Sequence, residues 1–397
     1  MRILTIGNMY PPHHLGGYEL TWRSAVDHLR GDGHAVRVLT TDFRRSAPDP
    51  DIPEDPEAYR ELRWYWRDHR WPRLSLRERI ELERTNGETL ERHLEEHSPD
   101  VVNWWAMGGM SLSLIERVRL AGLPSVGVVG DDWMVYAPKV DSWMRLTRRL
   151  GPFGGLLSRL VALPARFDLS GPTWLFNSVR TRERALGEGR PLPHAEIAHP
   201  GVDESLFRPA PARAWRWSLL YVGRIDERKG IDSAVEALAS LPGEARLAVL
   251  GSGDDDFLAE LHERCSSLGL NGRVDFGVRP RAELAEAYAD ADVLLFPVRW
   301  EEPWGLVPLE AMAVGTPVVA TGTGGSGEYL RDGQNALVVG GEAGPDELAA
   351  AVERLVADEA LREHLRQGGL ETASRYTERA YNEAIAAALE RVVAEAG

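Results

Sequence analysis

Two carboxylates eight positions apart stand in the most informative segment of the chain. Glu302 follows the apolar run at 292–297, and Glu310 lies on a helix that Gly315 is expected to end. A glycine-rich turn at 322–327 follows the next apolar run and is expected to open another helix. Backbone N–H groups at such a helix start can bind an anion. The order and spacing of these pieces predict a ligand site.

Two cations lie at a second point where a strand is expected to end. Arg224 and Lys229 bracket the loop after the apolar run at 217–222. An arginine fork and a compact lysine charge can together hold a pyrophosphate, although a solvated loop pair is the alternative. Lysine is rare here: of 46 basic residues only Lys139 and Lys229 are lysines. This rarity favours a specific role for Lys229.

A glycine pair, Gly16-Gly17, follows the first apolar run and leads into a helix. Paired glycines let the backbone approach a ligand, but a simple turn is an equal alternative. The pattern is not the G-x-G-x-x-G fingerprint of dinucleotide binding, which argues against a dehydrogenase. His13 and His14 beside it are interpreted as loop residues.

Short apolar runs alternate with helical stretches, which predicts parallel sheets covered on both faces. The fold class is therefore α/β, with two doubly wound Rossmann-like domains that face each other across a cleft. A proline-rich join at 199–211 separates them, giving domains at 1–204 and 205–376 and a terminal helix at 377–397. Expected strands lie near 2–7, 35–40, 100–105, 124–130, 173–176 and 195–198, then near 217–222, 246–250, 273–276, 292–297, 317–320 and 336–339.

Composition narrows the class of protein. The net charge of -15 argues against a broad nucleic-acid surface. A single cysteine, Cys265, excludes an intrachain disulfide and a multi-cysteine zinc site. No apolar run is long enough for a signal peptide or a membrane span, so a cytoplasmic location is expected.

These motifs together resemble the retaining GT-B glycosyltransferases of family 4, over almost the whole chain. The resemblance rests on Glu302 to Glu310, the 324–328 run and the Arg224 to Lys229 loop. It implies transfer of a sugar from a nucleotide-diphosphate-sugar donor to a hydroxyl acceptor, which could be a natural product, a glycan or a glycolipid. It also implies that the terminal helix crosses back to the first domain.

The resemblance also assigns roles to residues. It implies that Glu302 binds hydroxyls of the transferred sugar and that Glu310 binds the ribose diol. Arg224 and Lys229 would hold the diphosphate and stabilise the charge that develops on it. The other donor-binding positions that it implies are Gly16, Gly17, Arg279, Gly305, Leu306, Gly324 and Gly325.

No metal or cofactor is predicted besides the nucleotide-sugar co-substrate. The sequence has no D-x-D pair at an expected strand end. The run Asp254-Asp255-Asp256 is interpreted as a helix start, because aspartate is a favoured N-cap residue.

One position departs from the family pattern. Members commonly carry a histidine after the fourth strand of the first domain, and here Gly130 takes that place, followed by Asp131 and Asp132. Asp131 or Asp132 could contact the sugar or orient the acceptor hydroxyl, and Asp131 joins Glu302, Arg224 and Lys229 as a candidate catalytic residue. Capping of the next helix is an equal alternative for Asp131.

Two stretches of the first domain could help to bind the acceptor. Trp64 to Trp71 is rich in aromatic residues and could stack on a sugar, but packing under a helix is favoured. The segment at 143–166 interleaves arginines with leucines and could make weak peripheral contact with an anionic membrane. Because glycines and Pro152 interrupt it, a solvated loop and helix is favoured.

Two rival functions share most of these features. A sugar-nucleotide epimerase with the same architecture is the enzymatic alternative. A nucleotide-sugar-binding protein without catalysis is the other, encouraged by Gly130. The nucleotide base, the sugar and the acceptor stay open at this point.

Overall fold

The computed structural model describes residues 1–66, 70–341 and 344–397. It divides into two compact units, one of Met1–His199 with Asn382–Gly397 and one of Pro200–Tyr381. Each unit has its own parallel sheet flanked by helices, which confirms the predicted class of two doubly wound α/β domains. Within the described residues, no helix is both long and apolar enough to cross a bilayer.

In the first unit the described strands form a parallel sheet in the order β3-β2-β1-β4-β5-β6-β7. The strands are β1 (Arg2–Gly7), β2 (Ala35–Thr41), β3 (Ala58–Leu62), β4 (Val101–Trp104), β5 (Ser125–Val129), β6 (Thr173–Phe176) and β7 (Ala195–Ile197). The helices are α1 (Gly17–Gly31), α2 (Leu76–His97), α3 (Ser113–Leu120), α4 (Trp133–Val140), α5 (Ser142–Leu150), α6 (Pro152–Val161) and α7 (Val179–Gly187).

The second unit repeats this plan with the strand order β10-β9-β8-β11-β12-β13. Its strands are β8 (Ser218–Val222), β9 (Arg246–Leu250), β10 (Val274–Gly277), β11 (Val293–Phe296), β12 (Val318–Ala320) and β13 (Leu337–Val338). Its helices are α8 (Ile231–Ser240), α9 (Asp255–Ser267), α10 (Arg281–Asp290), α11 (Leu306–Val314), α12 (Pro345–Ala357) and α13 (Glu359–Ala373), and the last helix is α14 (Glu378–Ala396).

Both faces of the second sheet are buried, as the continuous apolar runs predict. On β8, Leu219 and Tyr221 pack in one hydrophobic cluster, and Leu220 and Val222 pack in another. Because successive strand residues point to opposite faces, an apolar run is what a sheet covered on both sides requires.

The sequence did not predict strand β3. β3 reads Ala-Tyr-Arg-Glu-Leu and lies at the edge of the first sheet, with only Leu62 fully buried. A polar edge strand lacks the apolar run on which the strand predictions depended.

Strand order reverses between β1 and β4 in the first unit and between β8 and β11 in the second. In open parallel sheets, ligands bind beyond the carboxyl ends of the strands at such points. The candidate site therefore begins at the ends of β8 and β11.

Candidate active site

The loops that follow β8 and β11 pack directly on each other. The β8 loop ends in a short 3-10 turn, Glu227–Lys229, and then Gly230. Gly230 has a φ of +69°, and a Cβ there would lie 1.9 Å from the carbonyl oxygen of Pro297. Only glycine allows this approach, which brings the predicted cations of one loop to the predicted carboxylate of the other.

Lys229 and Glu302 meet at this junction. The Lys229 Nζ donates to Glu302 Oε2 over 2.5 Å, and the Trp300 indole Nε1 donates to the same oxygen over 2.9 Å. The lysine and glutamate side chains are only 15% and 13% exposed, so the ion pair is partly shielded from water. Among the described residues, none donates to Oε1 of Glu302, which leaves that oxygen available to a ligand hydroxyl.

Arg224 is an exposed cation in the same loop. Its guanidinium makes no hydrogen bond or ion pair with any residue that the structure describes. Arg228, by contrast, is paired with Asp226 at 2.6 Å and lies 4.9 Å from the Trp300 ring centre. Hydrogen bonding from Arg228 lowers the pKa of Asp226 to about 2. Arg224 can therefore turn toward an anion without breaking a contact.

The glycine-rich turn after β12 holds Glu302 by its backbone. The turn is a five-residue 3-10 helix, Gly324–Glu328, where the sequence predicted the start of a longer helix. A Cβ on Gly324 would lie 2.4 Å from the Glu302 carbonyl oxygen, and the Gly325 N–H donates to that oxygen over 2.7 Å. The Gly325 N–H is thus already used, and the two glycines position Glu302.

Helix α11 carries the second glutamate and ends at Gly315, as predicted. Gly305 precedes it with a φ of +84°, and its carbonyl accepts from the Tyr329 hydroxyl over 2.5 Å. Leu306, the first helical residue, is half-buried beside it.

Glu310 is buried inside the second unit. Its side chain is 4% exposed, and both carboxylate oxygens have protein partners. Arg281 donates to Oε1 and the Tyr288 hydroxyl donates to Oε2, each over 2.9 Å. Sequence reasoning missed both partners, because they precede Glu310 by 29 and 22 residues and no local pattern links them.

Arg279 lies in the loop after β10, two strands away from β8. It is exposed and paired with Glu283 over 3.2 Å. Its predicted contact with the nucleotide stays a prediction.

In the first unit, Gly16 and Gly17 start helix α1. The Gly16 N–H donates to Glu19 Oε2 over 2.9 Å, and Gly17 is exposed. Glu19 is buried, and burial raises its pKa to about 7. Sequence reasoning missed Glu19, although a glutamate three residues after a helix cap is a recognised capping signal.

The structure explains the glycine at position 130. A Cβ on Gly130 would lie 2.4 Å from the ring of Tyr18. The Tyr18 hydroxyl donates to the Val128 carbonyl over 2.5 Å, which fixes the ring there. Tyr18 therefore fills the space that a larger residue at position 130 would need.

Asp131 lies one residue before the N-cap of helix α4, which is Asp132, and accepts from the Trp133 N–H over 3.2 Å and from the Tyr136 hydroxyl over 3.0 Å. Burial raises the pKa of Asp131 to about 6. Asp132 instead pairs with Arg184 over 2.7 Å. Asp131 thus contacts the first turn of α4 without being its N-cap residue, and its catalytic role stays a prediction.

The remaining predicted residues are placed as follows. Asp254 accepts from the Asp256 and Phe257 N–H groups and caps α9, as expected. Trp64 is buried and Trp71 is exposed, while residues 67–69 between them lie outside the described part of the chain. The described residues hold no cluster of three metal-ligating side chains.

Residues 204–372 match the family described as Glycosyl transferases group 1. An uncharacterised glycosyltransferase of Methanocaldococcus jannaschii is 26% identical over 401 aligned residues, covering 92% of this chain and 91% of that protein. A D-inositol 3-phosphate glycosyltransferase of Stackebrandtia nassauensis is 37% identical over 202 residues, covering 46% of this chain and 45% of that protein. This second match spans less than half of the relative.

The crystal structure of Anabaena HepE in complex with UDP and glucose has the same fold. It matches with a TM-score of 0.71 at 20% identity, covering 98% of this chain and 99% of HepE. The chain therefore has the GT-B fold of two parallel-sheet domains, and its residues 204–372 match the Glycosyl transferases group 1 family.

Proposed function

We propose that this chain is a retaining, metal-independent glycosyltransferase of family 4. It moves a sugar from a nucleotide-diphosphate-sugar donor to a hydroxyl acceptor. The observation that carries the proposal is the contact of Lys229 with Glu302 over 2.5 Å, beside exposed Arg224, at the ends of neighbouring strands. The complex of HepE with UDP and glucose supports a nucleotide-linked donor for this fold.

The two cations would bind the diphosphate. Lys229 uses one of its three N–H bonds for Glu302 and can donate the others to phosphate oxygens. Arg224 can add a planar fork from the open side of the loop. Positive charges that are in position before the reaction stabilise the negative charge that develops on the leaving diphosphate.

Glu302 would orient the sugar. Its Oε2 is fixed by Lys229 and Trp300, so Oε1 is presented in one direction. A carboxylate oxygen accepts strongly from a sugar hydroxyl and places the anomeric carbon relative to the diphosphate. In the transfer, the bond from that carbon to the diphosphate breaks, and its electron pair leaves with the diphosphate. A bond to the acceptor oxygen forms on the same face, and the hydroxyl proton ends on the released diphosphate.

Two roles remain part of the proposal. Glu310 would bind the ribose diol, which requires one of its contacts with Arg281 or Tyr288 to exchange for a ribose hydroxyl. Asp131, whose pKa is raised to about 6 by burial, would be largely ionised at neutral pH and could accept from the acceptor hydroxyl. For Asp131→Ala we expect a sharp loss of turnover with nucleotide binding retained.

A donor and acceptor panel tests the proposal. The full chain is incubated with UDP-, GDP-, ADP- and dTDP-sugars, with and without mixed hydroxyl acceptors and with a chelator. We expect released nucleotide together with a glycosylated product of unchanged anomeric configuration by NMR, and no loss with the chelator. A sugar epimer released without acceptor would instead establish the epimerase. Nucleotide binding without turnover would establish a binding protein, and an inverted product or chelator-sensitive turnover would contradict the proposed mechanism.

A further inference from the structure

Helices α5 and α6 present an apolar outer surface in the first unit. Phe153, Leu156 and Leu160 are 75%, 56% and 76% exposed, and Leu150 at the end of α5 is 39% exposed. The spacing of the first three residues places them on one side of α6. We call these four side chains the apolar tip.

The apolar tip stands on a well-packed base. Trp143 and Met144 of α5 are buried, and the Trp143 indole donates to the Pro164 carbonyl over 2.7 Å. A Cβ on Gly154 would lie 2.1 Å from the Thr147 carbonyl oxygen, so the glycine lets α6 pack closely on α5. Helices α5 and α6 thus pack on the first unit through one face, and the apolar tip on their other face is exposed although the helices are well packed.

Exposed arginines occur in the same segment as the apolar tip. Arg145, Arg148, Arg149, Arg159 and Arg166 are all exposed. No aspartate or glutamate occurs between positions 142 and 167, in a chain whose net charge is -15. Of these arginines, none has an ion-pair partner among the residues that the structure describes. The surface is therefore a local cationic patch on an acidic protein.

We infer that the α5–α6 surface docks on an anionic lipid bilayer. Exposed leucine and phenylalanine side chains interspersed with exposed arginines are the composition of helices that lie at a membrane interface. Arginine heads reach lipid phosphates while the apolar side chains enter the acyl boundary. A second copy of the chain is the poorer occupant, because pairing would place five arginines against five others. This inference does not depend on the proposed transfer reaction.

Vesicle binding of the full chain tests this inference. Wild-type protein should pellet with vesicles of phosphatidylcholine and phosphatidylglycerol, far less with phosphatidylcholine alone, and less again as salt rises. The variant Phe153→Ser/Leu156→Ser/Leu160→Ser should lose most of this binding. A variant with Arg145→Gln, Arg149→Gln and Arg159→Gln should bind at least ~10-fold more weakly, since each arginine near the surface contributes attraction.

Two controls show whether a loss of vesicle binding comes from unfolding or from changing any exposed leucine. Leu120→Ser/Leu268→Ser changes two exposed leucines elsewhere, 67% and 41% exposed, and should bind as wild type does. Circular dichroism checks that each variant is folded.

A positional probe gives a second readout. The single native cysteine, Cys265, is buried, so Phe153→Cys can be labelled selectively with an environment-sensitive dye. Its emission should rise and shift to the blue with anionic vesicles, whereas the same dye at Leu120→Cys should not respond. Absence of wild-type pelleting, equal pelleting of the serine variant, or a silent dye at position 153 would overturn the inference. So would a wild-type dimer that the serine variant makes monomeric.

Discussion

At the scale of single residues, contacts on one side fix the carboxylate of Glu302. One oxygen is occupied by Lys229 and Trp300, the backbone carbonyl is held by Gly325, and the other carboxylate oxygen faces no donor among the described residues. The spacing to Glu310 identified this residue from the sequence. The indole and lysine contacts that orient it could not be read from spacing alone.

Glu302→Gln should separate sugar recognition from nucleotide binding. The amide keeps the shape but loses the charge, so Lys229 is left without its ion-pair partner and the sugar hydroxyl without a charged acceptor. We expect kcat/KM to fall at least ~10-fold, because a hydrogen bond to a charged group contributes about 1.5–3 kcal/mol. Affinity for the nucleoside diphosphate, measured by calorimetry, should change little. The neighbouring Glu301→Gln is the control, and equal losses in the two variants would contradict the role of Glu302.

The pairing of Gly130 with Tyr18 accounts for the departure from the family histidine. The two positions are 112 residues apart, so the sequence could show the unusual glycine but not the ring that fills its place.

Gly130→His should therefore be destabilising by itself. A side chain at position 130 would overlap the Tyr18 ring, and overpacking of this kind typically costs about 1–3 kcal/mol of unfolding free energy. Tyr18→Ala opens the space, so the double variant should be more stable than the sum of the two single effects predicts. Denaturant unfolding of all four proteins measures this coupling. Additive effects would show that the two residues do not compete for the space.

Among helices and strands, the sequence was most informative where apolar runs are continuous. The central strands β1, β4, β8 and β11 follow that rule, because a sheet covered on both faces needs apolar residues at every position. The polar edge strand β3 could not be found in this way. The 3-10 turn at Gly324–Glu328 was placed correctly but expected to be a helix start, since glycine spacing does not distinguish the two.

Helices α2 and α5 share a buried pair of carboxyl groups. Glu83 of α2 accepts from the Tyr65 hydroxyl over 2.6 Å, and Asp141 caps α5 by accepting from the Trp143 and Met144 N–H groups. Burial, reinforced by the charge of Glu83, raises the pKa of Asp141 to about 8. Burial likewise raises the pKa of Glu83.

This pair should make stability fall as pH rises. Between 3.8 and about 8 the folded protein keeps a proton on Asp141 that the unfolded chain has released. The favourable contribution is thus complete at low pH and is lost as pH rises through that window, by up to about 1.4 kcal/mol per unit.

Glu83→Gln should flatten this dependence, because Asp141 then ionises without a like charge beside it. Denaturant unfolding at pH 5, 6, 7 and 8 compares it with Glu88→Gln, which changes an exposed carboxylate on the same helix. Parallel pH profiles for the two variants would contradict the assignment.

For the chain taken as a whole, composition decided which ligands were plausible. A net charge of -15 repels anions at long range, so an anionic donor must be held by local cations. In the proposed site, Arg224 and Lys229 would supply these cations at the ends of strands of the second sheet. The arginines of α5 and α6 are an exception to this charge balance, because they form a positively charged surface on a protein whose net charge is negative.

Nucleoside diphosphate binding by Arg224→Met tests the central proposal most directly. The Arg224 guanidinium makes no hydrogen bond or ion pair with the described residues, so its loss should not change the fold. Calorimetry with UDP, GDP, ADP and dTDP then reports the loss of the diphosphate contact. We expect wild type to bind at least one of these nucleotides and Arg224→Met to bind it ~10-fold or more weakly. Arg354→Met, an exposed arginine on α12, should bind as wild type does. Wild-type protein that binds none of the four, or an Arg224→Met variant with unchanged affinity, would contradict the central proposal.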